Sequence, residues 1–241
     1  MENKNIIMLK KRSRFTYKEQ CETYEDYRRI DVTSANKDKK IVNDLSPLYI
    51  GPVTSSDGLV ANTFENLWQY GKVYPLIYDE NKKIVPGIDC LGNPTNEFYE
   101  WRKRFYELKK EKGDRHPAFP SKIRHRDCLY MVYFNKEGKL EKLDYVASRK
   151  VVYIPEYAKL VVNTDSYKML KELVDSGEKI ALCDFDGWNY YGPNLDEDVT
   201  IVDVVNNPNI KVGHGYIIKM LLQGDIEVVN GEVIDHVGVL K

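Results

Sequence analysis

NEFYEWRKRFYELKKEKG, residues 96–113, carries the clearest periodic signal in the chain. Phe98, Trp101, Phe105 and Leu108 recur at helical spacing, basic residues fill the other face, and Gly113 supplies a stop. Upstream, Asn62-Thr63 offers an N-cap for a helix over NTFENLWQYGKVY (62–74), with Phe64, Leu67 and Trp68 on its apolar side. Before it, SPLYIGPVTSSDGLVA (46–61) reads as short strands and turns around Asp57-Gly58. Downstream, CLYMVYF (128–134), the turn NKEGK and LDYVASRK predict a hairpin. Helices are expected from Pro155 to about Val162 and from Asp165 to Ser176, the second stopped by Gly177. KIALCDF (179–185) reads as a buried strand, His214–Gln223 as an apolar helix ended by Gly224, and IEVV-NG-EVID as a hairpin on an Asn-Gly turn. Helices alternate with short hairpins, without regular βαβ units. The expected class is α+β, a mainly helical single domain over residues 46–241, preceded by a charged N-terminal extension over 1–45.

Composition narrows the function classes. With 241 residues, 42% hydrophobic and 12% aromatic, the chain can bury a core and is not globally disordered. No run reaches the roughly 20 apolar residues of a membrane span, and MENKNIIMLKKRSR has no signal-peptide apolar region, so a cytoplasmic protein with no membrane partner is expected. Cys21, Cys90, Cys128 and Cys183 are scattered, and the four histidines form no ligand pair, so neither a metal nor another cofactor is expected. The net charge of −1 hides an asymmetry. Residues 97–126 hold ten Lys/Arg against five Asp/Glu, whereas 175–208 hold one Lys against eight acids. Solvated faces explain such runs most simply; the sharper reading is a basic segment for phosphates and an acidic loop for chemistry.

Three segments carry residue types suited to chemistry. In the 62–74 helix, Glu65, Gln69 and Lys72 fall at i, i+4 and i+7, within about 60° of one another. A carboxylate, an amide and an ammonium in one stripe can line a polar pocket, although any surface helix can show such a stripe. In DFDGW (184–188), Asp184 and Asp186 follow a buried strand, share a side if extended geometry continues, and stand beside the flat ring of Trp188. An Asx-turn at Asp186-Gly187 is the plain structural alternative, and a phosphatase-type Asp-x-Asp reading is disfavoured because only 57 residues follow Asp184. In GHGYIIKMLL (213–222), Gly213 and Gly215 would let an anion approach the helix start beside His214.

In this order the pieces resemble the NADAR (YbiA-like) N-glycosidase family. SPLYIGPV followed by TFENLWQYGKVY matches its opening, with the pattern E-x-x-x-Q-x-x-K at Glu65, Gln69 and Lys72, and DFDGW and GHGYIIKMLL stand where it has an acidic/aromatic loop and a glycine-led terminal helix. The resemblance spans 46–223 and implies a NADAR-like fold and hydrolysis of an N-glycosidic bond to ribose in a ribosylated or ADP-ribosylated base or nucleotide. It implies Glu65 with Asp186, and Asp184 close behind, as the carboxylates that stabilise positive charge on the ribose and direct water. Gln69 would fix the base or ribose, Lys72 a phosphate or ribose hydroxyls, and Trp68 or Trp188 would stack on the base. Gly213, His214, Arg149 and Lys150 would meet phosphate oxygens. A Trp188 offset and a terminal helix without Asn leave a non-catalytic ADP-ribose-binding module as one alternative; the basic 97–126 segment and the Lys10–Arg14 cluster leave a second, the same activity on a modified base in nucleic acid whose backbone they would grip.

Overall fold

A computed structural model describes residues 5–11, 14–108, 127–186 and 200–241. The chain opens with β1 (Ile6–Lys10), α1 (Arg14–Thr23), β2 (Arg28–Asp31) and α2 (Lys39–Leu45). It continues through β3 (Val53–Thr54), β4 (Val60–Ala61), α3 (Phe64–Tyr70), β5 (Lys72–Val73), β6 (Leu76–Tyr78), β7 (Ile84–Pro86), α4 (Asn96–Tyr106), β8 (Tyr130–Phe134), β9 (Leu140–Leu143) and α5 (Tyr145–Ser148). A π-helical turn (Arg149–Tyr153) then precedes α6 (Ile154–Val161), α7 (Asp165–Asp175), β10 (Ile180–Asp184), α8 (Ile201–Asn206), α9 (His214–Gln223), β11 (Ile226–Val229) and β12 (Glu232–Asp235). The fold thus mixes helices with small sheets. Among the described residues no helix is long and apolar enough to cross a membrane.

The chain divides into two compact units, residues 1–50 with 149–241, and residues 51–148, where one domain was expected. In the first unit β1, β10 and β2 form a three-stranded parallel sheet with β10 in the centre. Every residue of β10 is buried, as a central parallel strand requires. Leu9, Ala181 and Cys183 face Tyr17 and Cys21 of α1. On the next residues of the pleat, Met8 and Asp184 face the start of α9. Helix α9 is apolar nearly all round and buried from His214 to Leu222, and it packs on β1, β10, α6, α7 and β11. Residues 6–45, expected as a charged extension, therefore carry β1, α1, β2 and α2, and two of those strands flank β10. Their strand character comes from pairing with β10, 174 residues beyond β1 and 152 beyond β2, which no local pattern announces.

The second unit packs α3 against α4 beside the antiparallel β5-β8-β9 sheet and the β3-β4 and β6-β7 hairpins. Its aromatic core joins the two helices. Tyr70 stacks on Phe105 at 4.8 Å and meets Trp101 edge-on at 5.2 Å. Arg102 of α4 is buried, and its guanidinium forks onto both oxygens of Asp57 in the β3-β4 turn while Nε donates to Tyr106 Oη at 3.0 Å. The expected 62–74 helix is shorter: Gly71 caps it after Tyr70, and Lys72 lies on β5 opposite Met131. A side chain at Gly71 would collide with Met131 Cε at 2.6 Å and Leu67 O at 2.9 Å, so glycine lets the chain leave the helix for the sheet. The 96–113 helix is seen through Tyr106; residues 109–126 lie outside the described residues.

Candidate functional site

The expected site residues divide between the two units. Glu65, Trp68, Gln69 and Lys72 lie in the 51–148 unit; Asp184, Asp186, Gly213, His214, Arg149 and Lys150 lie in the other. Trp188 lies outside the described residues.

Helix α3 is fixed at its start. Thr63 Oγ1 accepts from Asn66 N at 3.2 Å, so this hydroxyl is the N-cap. Asn62 N donates to Tyr106 O at 2.8 Å and Asn66 Nδ2 to Leu108 O at 2.7 Å, tying the start of α3 to the end of α4. On this rigid frame the polar stripe forms a continuous chain. Lys72 Nζ donates to Gln69 Oε1 at 3.1 Å, and Gln69 Nε2 donates to Glu65 Oε1 at 2.9 Å. The ammonium also lies over the Trp68 ring, 4.3 Å from its centre. The stripe expected on one helix thus comes together across the helix–strand junction. Trp68 was expected to stack on a base. It is buried instead, at 8% exposure, and one ring face is under Lys72.

Residues with no signal in the sequence feel the charges of Glu65 and Lys72. Burial, and after it the Glu65 carboxylate, pushes the Tyr70 phenol well above its usual range. Burial pushes Tyr74 the same way, helped by Cys128, Tyr70, Asp127 and Glu65. Both phenols are therefore neutral at physiological pH. Burial also raises the Cys128 thiol, opposed by the Lys72 ammonium. The arrangement offers one oriented carboxylate and one fixed cation beside neutral hydroxyls. It can stabilise positive charge developing on a neighbouring sugar ring and orient a water.

The carboxyl edge of the parallel sheet is built differently. Asp184 is 3% exposed; it accepts from Phe185 N at 2.6 Å and, through Oδ2, from Gly215 N at 3.0 Å in the first turn of α9. Helix α9 has no side-chain N-cap of its own. Asp184, expected as a catalytic carboxylate, therefore caps this helix from a distance of 31 residues in sequence. A Cβ on Gly213 would stand 2.4 Å from Asp184 Oδ2, and one on Gly215 would stand 3.0 Å from it. The two glycines make room for an anion, as expected, but the anion is the protein's own carboxylate. His214, expected to meet substrate, is 8% exposed: Nε2 donates to Val32 O at 2.8 Å, Nδ1 lies 3.5 Å from Asp184 Oδ2, and the ring meets Tyr157 edge-on. Asp186 is half-buried beside Gly213.

Arg149 and Lys150 were expected to take phosphate oxygens. Arg149 is 1% exposed, and its guanidinium donates to Val205 O at 3.1 Å, Asn207 O at 2.9 Å and Ile210 O, which closes the end of α8. Lys150 Nζ donates to Lys241 O. The same edge also carries Lys11, 2.5 Å from Asp31 Oδ2, with Thr33 bonded to Asp31 Oδ1. Comparisons of the chain with protein-family models, with curated proteins and with solved structures find no match.

Proposed function

We propose that this chain is a NADAR-like α+β N-glycosidase that hydrolyses the bond between ribose and a base nitrogen in a ribosylated or ADP-ribosylated nucleobase or nucleotide. The observation that carries the reading is the Lys72–Gln69–Glu65 chain, which sets a carboxylate in a defined orientation beside a fixed cation. Breaking the C1′–N bond moves its electron pair to the base and leaves positive charge on the ribose ring. Glu65 stabilises that charge and orients the water whose oxygen bonds C1′; the base leaves carrying the proton that balances it. Glu65 alone carries the step; Asp184 and Asp186 belong to the other unit, and the Asp184 oxygens accept from main-chain amides.

The test pairs wild type with Glu65→Ala on NAD, ADP-ribose, a ribosylamino-pyrimidine phosphate and an oligonucleotide bearing ADP-ribosylated guanine. Products are read by mass spectrometry. Free base or released ribosyl product with wild type only is the expected result. Equal product from Glu65→Ala would remove Glu65 from the mechanism.

A second reading, a binding module for ADP-ribose or a related nucleotide, is favoured by the capping role of Asp184, which removes one of the expected carboxylates. It predicts ligand-dependent thermal stabilisation without product. A base within nucleic acid is the substrate form the 97–126 segment would serve. In the described part of that segment Arg102 is buried on Asp57, Arg104 donates to Tyr78 O at 3.0 Å, and Lys103 is exposed. Salt-sensitive oligonucleotide binding weakened by Lys103→Glu is its signature.

A further inference from the structure

We infer that Gln69 and Trp68 are positioning residues, which lock the Lys72 ammonium and the Glu65 carboxylate into one relay and do not touch substrate. The orientation of the Gln69 amide carries the argument. Its oxygen faces an ammonium and its nitrogen faces a carboxylate oxygen. The flipped amide would put N–H groups against the ammonium and a carbonyl against the carboxylate, and both contacts are repulsive. The amide thus has one stable orientation, set jointly by the charges at its two ends. Removing either charge loosens the other contact, as expected of a coupled hydrogen-bond chain.

Trp68 fixes the second coordinate of the ammonium. Its buried indole underlies Lys72 Nζ at 4.3 Å, while Gln69 Oε1 binds it from the helix side. Lys72 itself departs from β5, whose pairing with β8 sets its backbone, so the relay spans a helix and a sheet edge. A group held between two regular elements keeps its geometry better than one on a loop. A neutral ground-state ribose gains little from the carboxylate that the relay orients. Its benefit appears when the sugar ring becomes cationic beside Glu65, and that favours kcat over KM.

The inference rests on the glycosidase reading for its kinetic half only, so the experiment has two arms. In the first, side-chain resonances of the full chain are followed by NMR. The Lys72 ε-methylene protons are expected upfield from the indole ring current. That shift should vanish in Trp68→Leu and persist in part in Trp68→Phe, which keeps an aromatic face in a folded core. Lys72→Met should move the Gln69 amide protons. An unshifted Lys72 in wild type, or a Gln69 amide indifferent to Lys72→Met, overturns the relay. In the second arm, Gln69→Met is assayed on whichever of the four substrates wild type cleaves. The relay predicts a fall in kcat of about 100-fold with KM within about twofold. A raised KM with kcat retained makes Gln69 a substrate contact and overturns the inference. If wild type cleaves none of the four, the glycosidase reading fails, and the NMR arm decides the relay alone.

Discussion

Glu65 and Asp184 start from similar sequence surroundings and end with different kinds of hydrogen-bond partner. Each is an acid beside a phenylalanine in sequence, and each lies against a helix start in the structure. Glu65 sits in the first turn of α3, where Thr63 already caps the helix, and the carboxylate is left to side-chain partners. Asp184 ends a buried strand opposite a helix that has no cap of its own, and main-chain amides claim it. What separates a carboxylate left to side-chain partners from one taken by main-chain amides here is whether the nearby helix end is already satisfied. Any unpaired N–H at a buried helix start is costly, and the closest anion is drawn to it.

The sharpest way to break this comparison is Asp184→Ala. It should cost about 3 kcal/mol, because it leaves the start of a buried helix without its charged acceptor. Urea unfolding followed by circular dichroism measures the loss. Gly213→Ala should destabilise in the same direction, since the new Cβ would stand 2.4 Å from Asp184 Oδ2. If Asp184→Ala abolished turnover while the unfolding midpoint stayed fixed, Asp184 would return to the catalytic set.

Glu65→Gln tests the other side. Glu65 is half-buried with a side-chain partner, so stability should change by less than about 0.5 kcal/mol. On a cleaved substrate, kcat should fall about 100-fold, roughly 2.7 kcal/mol of barrier. A stability loss as large as that of Asp184→Ala would erase the contrast between the two carboxylates.

Arg149→Gln comes next. The guanidinium closes three carbonyls at the end of α8, and a shorter amide cannot reach all of them, so a loss of about 2 kcal/mol is expected. KM for a phosphate-bearing substrate should not change. A KM rise without loss of stability would restore Arg149 to phosphate binding.

These contrasts also explain what the sequence made legible. Helices α4, α6, α7 and α9, strand β8 and the β11-β12 hairpin were readable because their signals are local: apolar period, caps and the Asn-Gly turn. The partner of β8 was misplaced: LDYVASRK (143–150) was expected as its strand, but β9 is Leu140–Leu143 and the chain from Tyr145 to Tyr153 is helical. The parallel sheet was not readable, because IIMLK and RRID become strands only by pairing with IALCD at the far end of the chain. The Glu65, Gln69 and Lys72 grouping was readable from spacing alone, although Lys72 reaches it from a strand and not from the helix. Partner identity was the illegible part. Gly213, His214 and Gly215 look the same in sequence whether they hold a ligand phosphate or a carboxylate from β10, and Arg149 gives no sign that carbonyls between residues 205 and 210 consume its donors.

A third carboxylate sharpens the comparison by pH, with the smallest effect. Asp57 is held neither by an amide relay nor by a helix start, but by the buried guanidinium of Arg102 and the Ser55 hydroxyl, which donates at 2.5 Å. Desolvation alone would raise its pKa; the bonds from Arg102 and Ser55 outweigh it and hold the carboxyl below its usual value. A depressed folded-state pKa means that the unfolded chain binds the proton more readily. The stabilisation is therefore complete above the unfolded value, near pH 4, and is lost as pH falls through the lower folded value. Its share should be about 1 kcal/mol, discounted because the Asp57 side chain is 19% exposed. Asp57→Asn should lower stability at pH 7 and flatten the acid limb of the stability curve below about pH 4. An unchanged acid limb in Asp57→Asn would mean that the fork from Arg102 does not distinguish the ionised carboxyl from the amide. The pairing would then be a packing contact, and burial of Arg102 would owe nothing to the charge of Asp57.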